Sequence, residues 1–226
     1  TSGEAGRIAD PSLATREHLG RVREQEDLAS WRALGLQPDV RFLRLPDGGL
    51  SEIAREDVTE QVGRVLDEKA PHVVVTFGPD GVTGHEDHIA IGAAASAAFV
   101  AAASAAFVAA RAPEGARLLH IAIPASDLDR LNEMLRERGL EPMDPAQPFM
   151  PRGVSDEKIG VRVDCSGAYV RKLEALRCHR TQSELEDLPF DLWPEILGTE
   201  SFVIAWPEPE PGAPVLADLF EGLPGS

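Results

Sequence analysis

Hydrophobic positions recur along the chain with the periods of helices and strands, and the period predicts the element. From Thr15 onward, Leu19, Val22, Glu26, Ala29 and Ala33 share one broad helical stripe with charges elsewhere, and Gly35 is placed as a C′ stop. Val40–Leu45 alternates Val, Phe and Leu against Arg, which predicts a half-exposed strand, and Pro46-Asp47-Gly48-Gly49 predicts a turn. A second helix is predicted over Ile53–Lys69, with Val58, Val62, Val65 and Leu66 inward and Pro71 beyond its end. His72–Phe77 (HVVVTF) is a continuous apolar run, the pattern of a strand buried on both faces of a parallel sheet. The loop Gly78–Gly84 leads into a long Ala-rich helix. Further on, Arg117–Ile123 predicts a strand, Asp127–Arg138 a helix ended by Gly139, and Ile159–Asp164 another strand. Tyr169–Arg180 predicts a helix and Ser201–Trp206 a last strand. Residues 1–14 and 141–157 read as irregular, and PEPEPGAP (207–214) as an extended, linker-like piece.

Strands alternating with helices predict an α/β fold, a mostly parallel sheet with helices on both faces. The expected organisation is one domain over residues 1–206 and a Pro-rich tail over 207–226. Such sheets bind ligands beyond the carboxyl ends of their strands, so loops 46–50 and 78–88 are the places for a site.

Composition narrows the field. The 226 residues carry 22 Lys and Arg against 38 Asp and Glu, a net charge of −16. That argues against nucleic acid and against anionic lipid as partners, since both need clustered cations. Two cysteines exclude a disulfide-built mini-domain and a four-thiolate zinc site, and Cys165 and Cys178 are expected to be reduced. Residues 89–110 hold no charge over a length near that of a membrane span, but they are mostly Ala and lack aromatic belts, so a buried helix is expected. Within that stretch AAASAAFV occurs twice in tandem, at 93–100 and 101–108. Eight helical residues leave roughly 80° between copies, so the two Phe-Val pairs are expected on different faces. The chain opens on Thr1 without a signal-peptide pattern. It is therefore expected to lie within a longer protein, with the cytoplasm as the default location.

The densest chemistry is Gly84-His85-Glu86-Asp87-His88. It follows a buried strand and opens a helix, and the i, i+3 spacing points both imidazoles to one side. A helix N-terminus disfavours the imidazolium form, and a neutral imidazole is a good zinc ligand. Asp87 could hold one ring nitrogen. The competing reading is a helix cap rich in His and acids, because a catalytic zinc takes about three protein ligands and no second HxxE or HxH cluster is present.

FGPDGVTGHEDH (77–88) closely resembles the second signature of the PIG-L/LmbE-like family of zinc-dependent N-acetylglucosaminyl de-N-acetylases. Other segments agree in order: SGEAG (2–6), Arg23 and Glu26 with Ala33-Leu34-Gly35, and LPDGGL (45–50). So do Lys172–Leu176 with His179 and Gln182, and Gly198–Phe202. The resemblance implies a Rossmann-like α/β fold and hydrolysis of the N-acetyl amide of a small GlcNAc-containing molecule or conjugate, with Zn2+ or another divalent metal. His88 would be a zinc ligand, His85 the group facing the oxyanion, and Asp87 the residue that tunes His85. Arg23 and Asp47 would contact the sugar. Each has a plainer reading beside it: Arg23 and Glu26 as a surface ion pair, Asp47 as a turn residue, His179 without a role.

The sequence departs from the family pattern in one large respect. The His-Pro-Asp-Asp motif that gives the family two further ligands and the general base is absent. Ser2 stands where many members carry Arg, and Glu86 where many carry Pro. The fold is thus expected to be N-terminally incomplete, with the first strand, first helix and second strand missing. By itself the chain is expected to bind zinc weakly and to hydrolyse nothing. Two other readings remain open: a non-catalytic member that binds a sugar or protein after losing the zinc site, and an assembly or membrane protein built on the Ala repeat. A homo-oligomer is compatible with all three.

Overall fold

The computed structural model describes residues 1–109, 115–182 and 188–224, with the backbone alone over 104–109. By internal contacts the chain divides into two compact units, Thr1–Leu50 with Asp164–Thr199, and Ser51–Val163 with Glu200–Ser226.

The second unit carries the sheet. Its strands are β1 (Val73–Phe77), β2 (Arg117–Pro124), the two-residue β3 (Gly153–Val154), β4 (Val161–Asp164) and β5 (Thr199–Trp206), in the order β1-β2-β5-β4 with β3 on β2. β2 runs parallel to β1 and β3 and antiparallel to β5. Two of these three pairings are parallel, as expected of a mostly parallel sheet, and β5 brings in one antiparallel pairing. Side-chain alternation is the same in either direction, so the sequence pattern carries no sign of β5's reversal.

Adjacent residues on β2 point to opposite faces and seed two apolar clusters. Leu118 packs with Leu66, Ala98, Phe99 and Ala103, drawn from α2 (Arg55–Lys69) and α3 (Glu86–Ala109). Leu119 packs with Val161 and Phe202, and Leu216 and Leu219 of the C-terminal segment close over that cluster. The segment is anchored further by Arg117, whose guanidinium donates to the Leu219 and Glu221 carbonyls at 2.8 and 2.9 Å. α4 (Ala125–Glu137) packs on β2 and β3.

β1 departs from the expected two-sided burial. Val74 joins the α2–α3 cluster and Val73 the opposite one, but Val75 is 42% exposed. β1 stands at the end of the strand order, and its second face is only partly covered. On the covered face, α3 approaches closely. A Cβ at Gly92 would collide with the Phe77 carbonyl oxygen, closer than real Cβ atoms come to a heavy atom. The repeat begins one residue later. Ala94, Ala95, Ala98 and Phe99 of its first copy are buried and Val100 is exposed, while the side chains of the second Phe-Val pair lie outside the described residues. No helix among the described residues is long and apolar enough to cross a membrane.

The first unit holds α1 (Leu19–Ala33), α5 (Tyr169–Arg177) and the short α6 (Trp193–Leu197). Its apolar cluster is Leu173, Trp193 and Leu197, flanked by Tyr169 and Leu176. The buried face of α1 is polar beyond Leu19: Glu24, Glu26 and Ser30 are buried, and Ala29 and Ala33 only half-buried. Val40–Leu45 forms no strand. Arg44 takes a φ of +52°, which breaks the extended run, and its Nε and Nη2 donate to the two Glu24 carboxylate oxygens at 2.9 and 3.0 Å. An alternating pattern was overridden here by one charged hydrogen-bonded pair.

Candidate functional site

The loop after β1 is wound tightly. Gly81 N–H donates to the Gly78 carbonyl and Gly84 N–H to the Asp80 carbonyl, at 3.0 and 2.9 Å. Gly81, Val82 and Gly84 all have positive φ, at 61°, 65° and 75°. For a β-branched Val this is a strained conformation of the kind that concentrates at functional sites. The loop delivers His85 and the first turn of α3, with His88 on it.

Four rings then form a column. Phe77 stacks on His88 with centroids 4.1 Å apart, His88 on His85 at 4.8 Å, and His85 meets Phe149 at 5.2 Å. Gly92 makes the first of these contacts accessible, because it lets α3 close on the end of β1.

The two imidazoles carry their hydrogens differently. The Nδ1 of His88 lies 3.1 Å from the Gly81 carbonyl oxygen. A carbonyl only accepts, so Nδ1 must donate, and neutral His88 keeps its lone pair on Nε2. The Nδ1 of His85 instead accepts the Asp87 backbone N–H at 3.1 Å, so neutral His85 carries its hydrogen on Nε2. One ring thus presents a ligand atom and its neighbour a donor. Asp87 reaches His85 with its main-chain N–H, and the Asp87 residue is 6% exposed.

Around the column stand residues that no spacing in the sequence singled out. Arg152 N–H donates to the Val82 carbonyl at 2.7 Å, and its guanidinium lies over Gly84, with Cζ 2.5 Å from where a Cβ would be. Phe149 comes from the same irregular passage. His120 on β2 shares a hydrogen bond of 2.9 Å with Ser96 Oγ. Burial pulls its pKa below the ordinary value, with Asp80 opposing.

The first unit gathers Arg23 and Asp47 on the loop at residues 2–7. Arg23 donates from Nη1 to the Gly3 carbonyl at 2.6 Å and from Nη2 to the Arg7 carbonyl at 2.7 Å. Burial lowers its pKa, with Asp47 and then Glu26 opposing. Asp47 accepts the Ala5 N–H at 2.9 Å, and its own N–H donates to Glu4 at 2.9 Å, so the turn is tied to that loop. Arg23 and Glu26 meet through Thr181. Arg23 Nε donates to the Thr181 hydroxyl at 3.3 Å, and that hydroxyl donates to Glu26 at 2.7 Å. Thr181 N–H also donates to Glu26, at 2.8 Å. His179 follows α5, and its N–H donates to the Leu176 carbonyl. Cys165 and Cys178 form no disulfide among the described residues, and both are half-buried.

Among the described residues, no group of three or more His, Cys, Asp and Glu could share a metal ion. His88 has the tautomer and the free nitrogen of a ligand, but a catalytic zinc takes about three protein ligands. The residues present therefore fit such an ion at one position and fall short of the set.

The PIG-L family profile, GlcNAc-PI de-N-acetylase, matches residues 1–99. The 1D-myo-inositol 2-acetamido-2-deoxy-alpha-D-glucopyranoside deacetylase of Streptomyces scabiei is 31% identical over 265 aligned residues, covering 100% of this chain and 79% of the relative. The protein of the same name from Geodermatophilus obscurus is 34% identical, covering 100% of this chain and 86% of the relative. Among solved structures, N,N'-diacetylchitobiose deacetylase from Pyrococcus horikoshii matches 90% of this chain and 69% of its own, with a TM-score of 0.53 at 20% identity. GalB, the 4-carboxy-2-hydroxymuconate hydratase from Pseudomonas putida, matches 94% of this chain and 84% of its own, with a TM-score of 0.55 at 15% identity. At such identities the likeness shows the fold alone. A deacetylase and a hydratase on one fold leave the chemistry to be argued from the site.

Proposed function

The chain belongs to the PIG-L family of deacetylases, and on that footing we propose that it acts in zinc-dependent hydrolysis of the N-acetyl amide of a small GlcNAc-containing molecule. The observation that carries the reading is the opposed tautomers of His85 and His88 at the mouth of β1. Amide hydrolysis needs a metal ligand and a hydrogen-bond donor side by side, and these two rings offer that pair.

His88 would hold the ion through Nε2, its orientation fixed by the Gly81 carbonyl, as outer partners commonly fix metal-binding imidazoles. When bound, zinc supplies Lewis-acid polarisation of a carbonyl and a water of lowered pKa. His85 donates from Nε2–H to the carbonyl oxygen as it gains negative charge, and the same hydrogen is then placed for the departing nitrogen. Asp87 holds His85 in that tautomer through its N–H. Arg23 and Asp47 are proposed as sugar-contacting residues on the resemblance alone. The base belongs, by that resemblance, to a motif this sequence does not contain, and it is assigned to no residue here. The proposed location is the cytoplasm.

Acetate release from N-acetylglucosaminyl inositol by the natural gene product, with zinc and after chelation, tests the proposal. Release that chelation stops, and that His85→Ala lowers by about 100-fold or more, is the expected result. The shortage of clustered ligands among the described residues favours one other reading, a non-catalytic sugar-binding member. Sugar binding without any acetate release would establish that reading instead.

A further inference from the structure

We propose that Phe149 and Arg152 form a carbohydrate-binding arm, in which the Phe149 ring carries the C–H face of a pyranose and Arg152 donates to neighbouring hydroxyls. The proposal rests on the deacetylase reading for the amide beside His85, and adds to it the residues that hold the sugar.

Phe149 has a φ of +62° and is 65% exposed, yet its ring is set against His85 at 5.2 Å. A bulky side chain in the left-handed region is rarely tolerated, and an aromatic ring left in water gains nothing from burial. Both features are accounted for by a ligand that covers the ring. Sugars present such a surface, with ring C–H groups on one side and hydroxyls at the edge, and aromatic side chains supply the matching apolar face.

Arg152 is the complementary half. Its backbone is pinned to Val82 of the site loop, and its guanidinium occupies the space that Gly84 leaves open, next to His85. That guanidinium has no hydrogen-bond or ion-pair partner among the described residues, in a chain with 38 acidic residues to choose from. Its planar fork of N–H donors suits two adjacent oxygen acceptors better than a point charge does.

Two probes separate the contacts: N-acetylglucosamine, and N-cyclohexylacetamide, which keeps the ring and amide but has no hydroxyls. Each is titrated by NMR into the zinc-supplied chain. Arg152→Ala should raise the Kd for N-acetylglucosamine about tenfold and leave N-cyclohexylacetamide within about twofold, with Arg152→Lys recovering part of the loss. Phe149→Ala should weaken both probes by about fivefold or more, and Phe149→Leu by less. Both residues are exposed, so unchanged melting temperatures are expected and serve as the folding control. The proposal is overturned if Arg152→Ala leaves N-acetylglucosamine binding unchanged, if it weakens both probes equally, or if the parent chain does not bind N-acetylglucosamine. Failure of acetate release with the differential binding intact removes the deacetylase reading and leaves the arm standing.

Discussion

His85 and His88 stack 4.8 Å apart, yet their Nδ1 atoms do opposite things: that of His85 accepts the Asp87 N–H, and that of His88 donates to the Gly81 carbonyl. The two rings are therefore not interchangeable, and their replacement should separate metal binding from catalysis.

His88→Ala should abolish zinc binding by the chain, while His85→Ala should leave the zinc Kd within about threefold and lower kcat by about 100-fold in the natural gene product. Competition against a zinc-responsive dye gives the first quantity, and acetate release the second. Equal loss of zinc in both variants would contradict the assigned tautomers.

Gly92→Ala should destabilise the second unit by about 1–3 kcal/mol, because the added methyl meets the Phe77 carbonyl and forces α3 outward. Urea unfolding measures the cost. The His88 ring resonances should shift in the same variant, since its stack on Phe77 depends on that approach.

Glu24 has a carboxyl held down to about 2, from an ordinary 4.5, first by the hydrogen bond from Arg44 and then by that from Ser2. A depressed carboxylate contributes stability above its unfolded value and loses it as pH falls through its folded value. The stability gap between the parent and Arg44→Ala should thus be constant above about pH 5. It should shrink from pH 4.5 downward and vanish only below about pH 2. The Arg44 side chain is 70% exposed, so the gap at neutral pH is expected to be small. Urea unfolding at stepped pH values reads it.

Arg117→Met should loosen the C-terminal segment by removing both donors to the Leu219 and Glu221 carbonyls. Hydrogen exchange of residues 216–223 should speed up by about tenfold, while β1 and α2 stay protected. Unchanged exchange there would show that Leu216 and Leu219 hold the segment unaided.

Much of the second unit was legible because its signals are periodic. The apolar run before the loop gave β1, and the 3.6 period gave α2 and α4 within a few residues. HxxH gave the rings, since on a helical turn that spacing has one geometric outcome. Other features depend on tertiary partners. Val40–Leu45 alternates like a strand, but nothing in its pattern announces that Arg44 turns back to Glu24. Glu26 falls on the buried stripe of α1 as expected, whereas the hydroxyl that satisfies it comes from Thr181, far along the chain. Phe149 and Arg152 lie in a passage with no periodicity at all, so only coordinates could bring them to His85.

Gly84 shapes the molecule through what it lacks. Its missing side chain is a socket for the longest cation nearby, so position 84 and position 152 form a lock-and-key pair within one chain. Any residue larger than glycine there would evict the guanidinium, and drift at either position would be felt at the other.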